Sequence, residues 1–146
     1  MPVATAPSAS PAPARRELLV SRSLPAPRFR YSPVVRAGQQ VFVSGMVGLD
    51  AATGGLVEGG AFEQTRRILA NLAGLATEMG WALEQLVLAR IYCADFGTFP
   101  DVNRAWEAFF ATVAPPARTS VGVSALPLGA LVEIEFQFIV DEGVSA

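Results

Sequence analysis

Apolar and polar residues alternate most regularly near the end of the chain. Val132, Ile134, Phe136, Phe138 and Val140 fall on one side of an extended segment, and Glu133, Glu135, Gln137 and Ile139 on the other. That period of two belongs to a strand with one face in a core. A second rhythm, of three and four, runs from Ala61 to Met79 through Phe62, Ile68, Leu69, Leu72, Leu75 and Ala76. It predicts an amphipathic helix with Glu63 in its first turn and Gly80 as its C-terminal stop. Upstream, Tyr31 to Arg36 and Gln40 to Met46 read as two strands about the turn Ala37-Gly38-Gln39. Leu86 to Cys93 is a strongly apolar strand. Thr98 to Asp101 reads as a helix cap with Pro100 in the first turn. The helix behind it gathers Val102, Trp106, Phe109, Phe110 and Val113 on one face, and Pro115-Pro116 end it. Thr119 to Val123 is a short strand and Pro127 to Gly129 a turn. The order β-β-α-β-α-β-β predicts a two-layer α+β domain over residues 28–141, with the helices on one face of the sheet.

Residues 1–27 hold six of the eleven prolines, among Ala and Ser. Such a segment has little to bury and is expected to be a largely disordered tail, at least to about residue 16. Residues 142–146 are read as a short C-terminal tail.

Hydrophobic residues make up 51% of the 146 and charged residues only 16%, against about a quarter charged in an average soluble domain. That surplus of apolar surface points to burial against another subunit. The polar face of the last strand would be wet in a monomer and would become a lined pocket in an oligomer packed through it. The net charge of −2, with two short basic pairs (Arg15-Arg16 and Arg66-Arg67), offers no basic face for a nucleic acid. No apolar run is long enough for a bilayer and no secretory signal opens the chain, so no membrane partner is expected. A single cysteine, Cys93, in an apolar strand suits a reducing cytoplasm and reads as a buried hydrophobe. With no histidine and one cysteine, the chain cannot build a histidine-cysteine zinc site, a Ser-His-Asp triad or a Cys-His dyad by itself. Carboxylates, arginine, tyrosine, hydroxyls and backbone groups remain.

An ordered set of pieces resembles the RidA/YjgF family of reactive-intermediate deaminases. They are Tyr31-Ser32, Val43-Ser44-Gly45, Thr65 to Asn71, Val102-Asn103 followed by Glu107 to Phe110, Pro116-Ala-Arg118-Thr-Ser120-Val, Leu126-Pro127 and Val132-Glu133-Ile-Glu135. The resemblance covers about 110 residues and is carried by the order of the set rather than by any single piece. It implies a chorismate-mutase-like homotrimer with sites where one subunit's sheet edge meets its neighbour. It also implies hydrolysis of 2-aminoacrylate-type enamines or their imines to 2-oxo acids and ammonia, with no metal and no organic cofactor.

On that resemblance Arg118 binds the carboxylate of a small substrate, for which a planar guanidinium offers two parallel bonds. Glu133 is the acid/base carboxylate, and Glu135 on the same strand face can raise its pKa by like-charge repulsion. Ser120 completes the catalytic set. Ser44 and Gly45 can hold water or substrate through hydroxyl and backbone groups, although ordinary strand and turn bonding is an equal reading for both serines. Tyr31 and Asn103 match pocket residues, with local capping a competing role for Asn103. Departures from the family pattern make the rim more apolar: Met46 where glutamine is common, Val123-Ser-Ala before the turn, and Leu128-Gly-Ala-Leu131 in place of a charged turn. They leave room for a bulkier imine. The alternatives to a general deaminase are therefore a pathway enzyme for one such intermediate, acting by hydrolysis, tautomerisation or cyclisation, and a non-enzymatic ligand-binding trimer.

Overall fold

The computed structural model describes residues 1–7 and 15–142. Its elements are β1 (Arg16–Leu19), β2 (Val34–Ala37), β3 (Gln40–Val47), α1 (Gly60–Met79), β4 (Leu86–Cys93), α2 (Phe99–Phe109), β5 (Ala117–Gly122) and β6 (Val132–Ile139). They form one mixed sheet in the order β1-β2-β3-β6-β4-β5. All neighbours are antiparallel except β4 and β5, which run parallel. The expected two-layer α+β architecture is therefore the observed one.

The periodicities translate directly into burial. Val132, Ile134 and Phe138 are completely buried and Phe136 and Val140 nearly so, while Ile139 on the opposite side is exposed. Ile68, Leu69, Leu72 and Leu75 of α1 lie against them, joined by Val102 and Trp106 from α2 and by Phe110 just after it. Gly80 adopts φ 74°, and the N–H groups of Gly80 and Trp81 return to Thr77 O and Ala76 O. That pairing closes α1 in a Schellman arrangement, which a residue with a Cβ enters only with strain.

Four expectations need correction. The second helix stops at Phe109, because Phe110 leaves helical geometry at φ −96°, ψ 26°, so Val113 lies beyond it and Pro115-Pro116 do not end it. The domain boundary at residue 28 lies too late. Arg16–Leu19 pairs with Val34–Ala37, and the backbone N–H of Arg22 and the hydroxyl of Ser21 bond the Glu78 carboxylate at 2.9 and 2.6 Å. Leu24 is buried in the core. The proline-rich run ends at Pro13, and the Arg-Glu-Leu-Leu that follows gains strand structure only from its partner. Residues 8–14 and 143–146 lie outside the described residues. The strand expected from Tyr31 begins at Val34, because the chain bends at Tyr31 and Pro33 before pairing starts. Finally, Thr98 does not cap α2 with its side chain. Its hydroxyl donates to Asp95 O at 2.7 Å within a short 3-10 turn that leads into the helix.

Candidate functional site

β6 inserts between β3 and β4, so Glu133 lies opposite Val47 on one side and Tyr92 on the other. The pairing of β3 with β6 slips between Val43 and Met46. This bulge sets Gly45 against the Glu133 side chain, so that a Cβ at position 45 would lie 2.9 Å from its Cδ. Glu133 is half-buried. Burial first, and the Glu135 carboxylate second, push its pKa above the ordinary glutamate value. Glu135 accepts a 2.6 Å hydrogen bond from the Tyr92 hydroxyl and lies 3.5 Å from Arg90 Nη1. That bond and partial desolvation raise the Tyr92 pKa.

Ser44 anchors the preceding segment. Its N–H donates to Pro33 O at 2.9 Å and its hydroxyl to Ser32 O at 2.7 Å. The hydroxyl proton is thus engaged in structure, while Tyr31, next to Ser32, stands exposed at the pocket mouth. Tyr31, Ser44, Gly45 and Glu133 line one cavity of about 330 Å³. Leu24, Phe29, Val43, Met46 and Leu128 give its other walls an apolar character. Leu128 holds φ 60° in the Pro127–Gly129 turn, a conformation costly for a residue with a Cβ. The segment after this turn is fixed from behind, since Leu131 N donates to Gln64 Oε1 of α1 at 2.9 Å.

Arg118, Asn103 and Ser120 are not part of that cavity. Arg118 pairs in register with Ala89 on β4, and Ala89 with Phe136 on β6. This row carries its side chains on the helix side of the sheet, whereas Glu133 alternates onto the opposite face. The guanidinium lies 5.3 Å from the Trp106 ring centre and 5.5 Å from that of Phe99. Its Nη1 donates to Asn103 Oδ1 at 2.8 Å. Arg118, Asn103 and Trp106 border a second cleft with Glu107, Pro115 and Pro116. Ser120, two residues on and on the same side as Arg118, has a buried hydroxyl with no hydrogen-bond partner among the described residues. The sequence-predicted residues therefore assemble as two separate halves, one around Glu133 and one around Arg118.

Sequence reasoning passed over Tyr92 and Arg90, which alternate on β4 beneath Glu135, and gave no role to Glu107, four residues after Asn103, although it stands in a matching piece. The spacing of two on a strand and of four on a helix were the available signals. Cys93 is fully buried, and burial pushes its thiol pKa up, which leaves it a core residue rather than a nucleophile. Among the described residues no helix is long and apolar enough to cross a membrane, and no group of three potential ligands is placed to hold a metal ion.

Residues 21–140 match the family model described as Endoribonuclease L-PSP. A 2-iminobutanoate/2-iminopropanoate deaminase of Mus musculus is 34% identical over 120 residues, 82% of this chain and 88% of the relative. A RutC family protein of Pyrococcus horikoshii is 32% identical over 120 residues, 82% of this chain and 94% of the relative. Among solved structures, a Rid-family protein of unknown function from Yersinia pestis superimposes with a TM-score of 0.81 at 30% identity, covering 86% of this chain and all of its own. RidA from the Antarctic bacterium Psychrobacter gives a TM-score of 0.79 at 30% identity, covering 85% and 99%.

Proposed function

The chain belongs to the Endoribonuclease L-PSP (RidA/YjgF) family, and from that premise we propose that it hydrolyses 2-imino and 2-enamino acids to 2-oxo acids and ammonia. The acting form is a homotrimer whose sites lie between subunits, in the cytoplasm. One observation carries this reading: the carboxylate suited to proton transfer and the guanidinium suited to a carboxylate lie on opposite faces of one sheet. Neither half can treat an imino acid alone, and a neighbouring copy supplies the missing one. Exposed Leu18, Phe42 and Ile139 on strands of the same sheet are apolar surface available for such packing.

In this site the Arg118 guanidinium of one subunit grips the substrate carboxylate and holds the C=N carbon near Glu133 of another. Glu133 takes a proton from water as the water oxygen bonds to that carbon, and delivers it to the nitrogen. The carbinolamine then collapses: the same carboxylate carries the hydroxyl proton to the amino nitrogen, C=O forms, the C–N bond breaks and ammonia leaves. A raised pKa suits Glu133 to both directions of transfer. The Ser120 hydroxyl, buried and without a partner among the described residues two positions after Arg118, backs that half of the site from within the subunit. The backbone around Gly45 and the exposed Tyr31 hydroxyl face the same cavity as Glu133.

The apolar walls of that cavity favour a second reading, a narrower enzyme acting on one imine with a bulky apolar side chain, by hydrolysis or tautomerisation. Ammonia release from 2-imino acids, generated in situ by an amino-acid oxidase across a side-chain series, tests both readings. Acceleration across the series supports a general deaminase, and a steep preference for one large side chain supports the narrow enzyme. No acceleration over buffer refutes the proposal. Complementation tests the divided site. Arg118→Ala and Glu133→Gln chains, each inactive alone, should regain activity when coexpressed, because mixed trimers contain native pairings of the two halves. A site built within one chain would not be rescued.

A further inference from the structure

We propose that Glu107 is a positioning residue for Arg118, acting through the Asn103 amide. The inference rests on the reading above only in taking Arg118 as the carboxylate anchor. Asn103 and Glu107 stand four apart on α2, on one face of the helix. Asn103 Nδ2 donates to Glu107 Oε1 at 3.0 Å, and Asn103 Oδ1 accepts from Arg118 Nη1 at 2.8 Å.

The polarity of this chain is fixed by chemistry. A carboxylate only accepts and a guanidinium only donates. An amide placed between them satisfies both in one orientation alone, with its NH₂ on the carboxylate and its carbonyl on the guanidinium. Without Glu107 that orientation loses half its reason. The amide is then free to turn its NH₂ towards Arg118, setting donor against donor. Trp106 and Phe99 hold the guanidinium at 5.3 and 5.5 Å, and contacts to ring faces locate a cation without fixing its rotation. The bond to Asn103 supplies the rotational constraint. No other hydrogen bond of the Arg118 guanidinium forms among the described residues, so the Nε–Nη2 edge is left for a two-pronged grip on a substrate carboxylate.

Arg118 would hold the carboxylate equally in the ground state and in the transition state. Loss of its alignment should therefore appear in KM rather than kcat. Glu107→Ala is expected to raise KM for 2-iminobutanoate about tenfold with kcat within about twofold, and to weaken binding of 2-oxobutanoate, read by calorimetry, by the same factor. Glu107→Gln keeps an acceptor oxygen for Asn103 and should stay within about twofold of native. The Asn103→Ala/Glu107→Ala double variant should be no worse than Asn103→Ala alone, since Glu107 acts only through the amide. An unchanged KM in Glu107→Ala, a Glu107→Gln as weak as the alanine variant, or additive losses in the double variant would each overturn the proposal. Glu107 is exposed, and melting curves separate any loss of folding. If the native protein does not turn over imino acids, the deaminase reading has failed instead. The relay is then read from the Arg118 Nε–H resonance: broadened or shifted in Glu107→Ala and native in Glu107→Gln if it holds, native in both if it does not.

Discussion

A methyl group added to Gly45 would stand 2.9 Å from Cδ of Glu133 and closer still to its Oε1. Gly45 is not held in the left-handed region, so the backbone itself accepts alanine. The carboxylate must then move. Misplacing a catalytic group by about 1 Å can cost about a hundredfold. Gly45→Ala should lower kcat by at least tenfold while the melting temperature changes little. Near-native turnover would show that the position of Glu133 is not critical.

Glu133→Gln preserves shape but cannot move a proton, and kcat should fall by about a hundredfold or more. The acidic limb of the native pH–rate profile reports loss of the Glu133 base form as pH falls. Part of the upward shift of its pKa comes from the Glu135 carboxylate. Glu135→Gln removes that repulsion, so the limb should move to lower pH. A limb that stays in place in Glu135→Gln, or persists in Glu133→Gln, assigns the titration to another group.

Arg118→Lys keeps the charge without the fork, and an ammonium cannot make the two parallel bonds. Arg118→Ala and Arg118→Lys should each lose more than a hundredfold in kcat/KM on imino acids, about 3 kcal/mol at the transition state. An imine of similar size lacking a carboxylate should be a poor substrate, insensitive to either change. Full activity of the lysine variant would mean that charge alone suffices.

The Glu78 clamp should show in stability rather than in turnover. The backbone N–H of Arg22 first, and the Ser21 hydroxyl second, hold the Glu78 pKa down at about 2 from 4.5. A group whose folded pKa is depressed stabilises the fold above its unfolded value, and that contribution disappears as pH falls through the folded one. The melting temperature should thus decline between about pH 4.5 and pH 2, and Glu78→Gln should be less stable at neutral pH and show a shallower decline. Identical acid profiles for the two proteins would show that the N-terminal segment is held by β1 pairing and Leu24 alone.

Much of the architecture was legible in the chain because it is written in local period. The alternation of Val132 to Val140 and the three-four rhythm of α1 each name the buried face without reference to any partner, and Gly80 marks its stop by its own backbone freedom. The absence of histidine narrowed the chemistry, and the ordered motifs named Arg118, Glu133 and Asn103. Relationships between distant segments were not legible. Arg16–Leu19 is too short and too polar to announce a strand, and becomes one only because β2 offers an unpaired edge. Insertion of β6 between β3 and β4 brings Gly45, Tyr92 and Glu133 together, and with that burial the carboxylate acquires its raised pKa. Sheet order and register likewise put Arg118 beside α2 and Glu133 on the opposite face. Local pattern fixes which way a side chain points on its own element, because that depends only on backbone geometry; what it meets there depends on pairings between segments far apart in the chain, which only the packed structure decides.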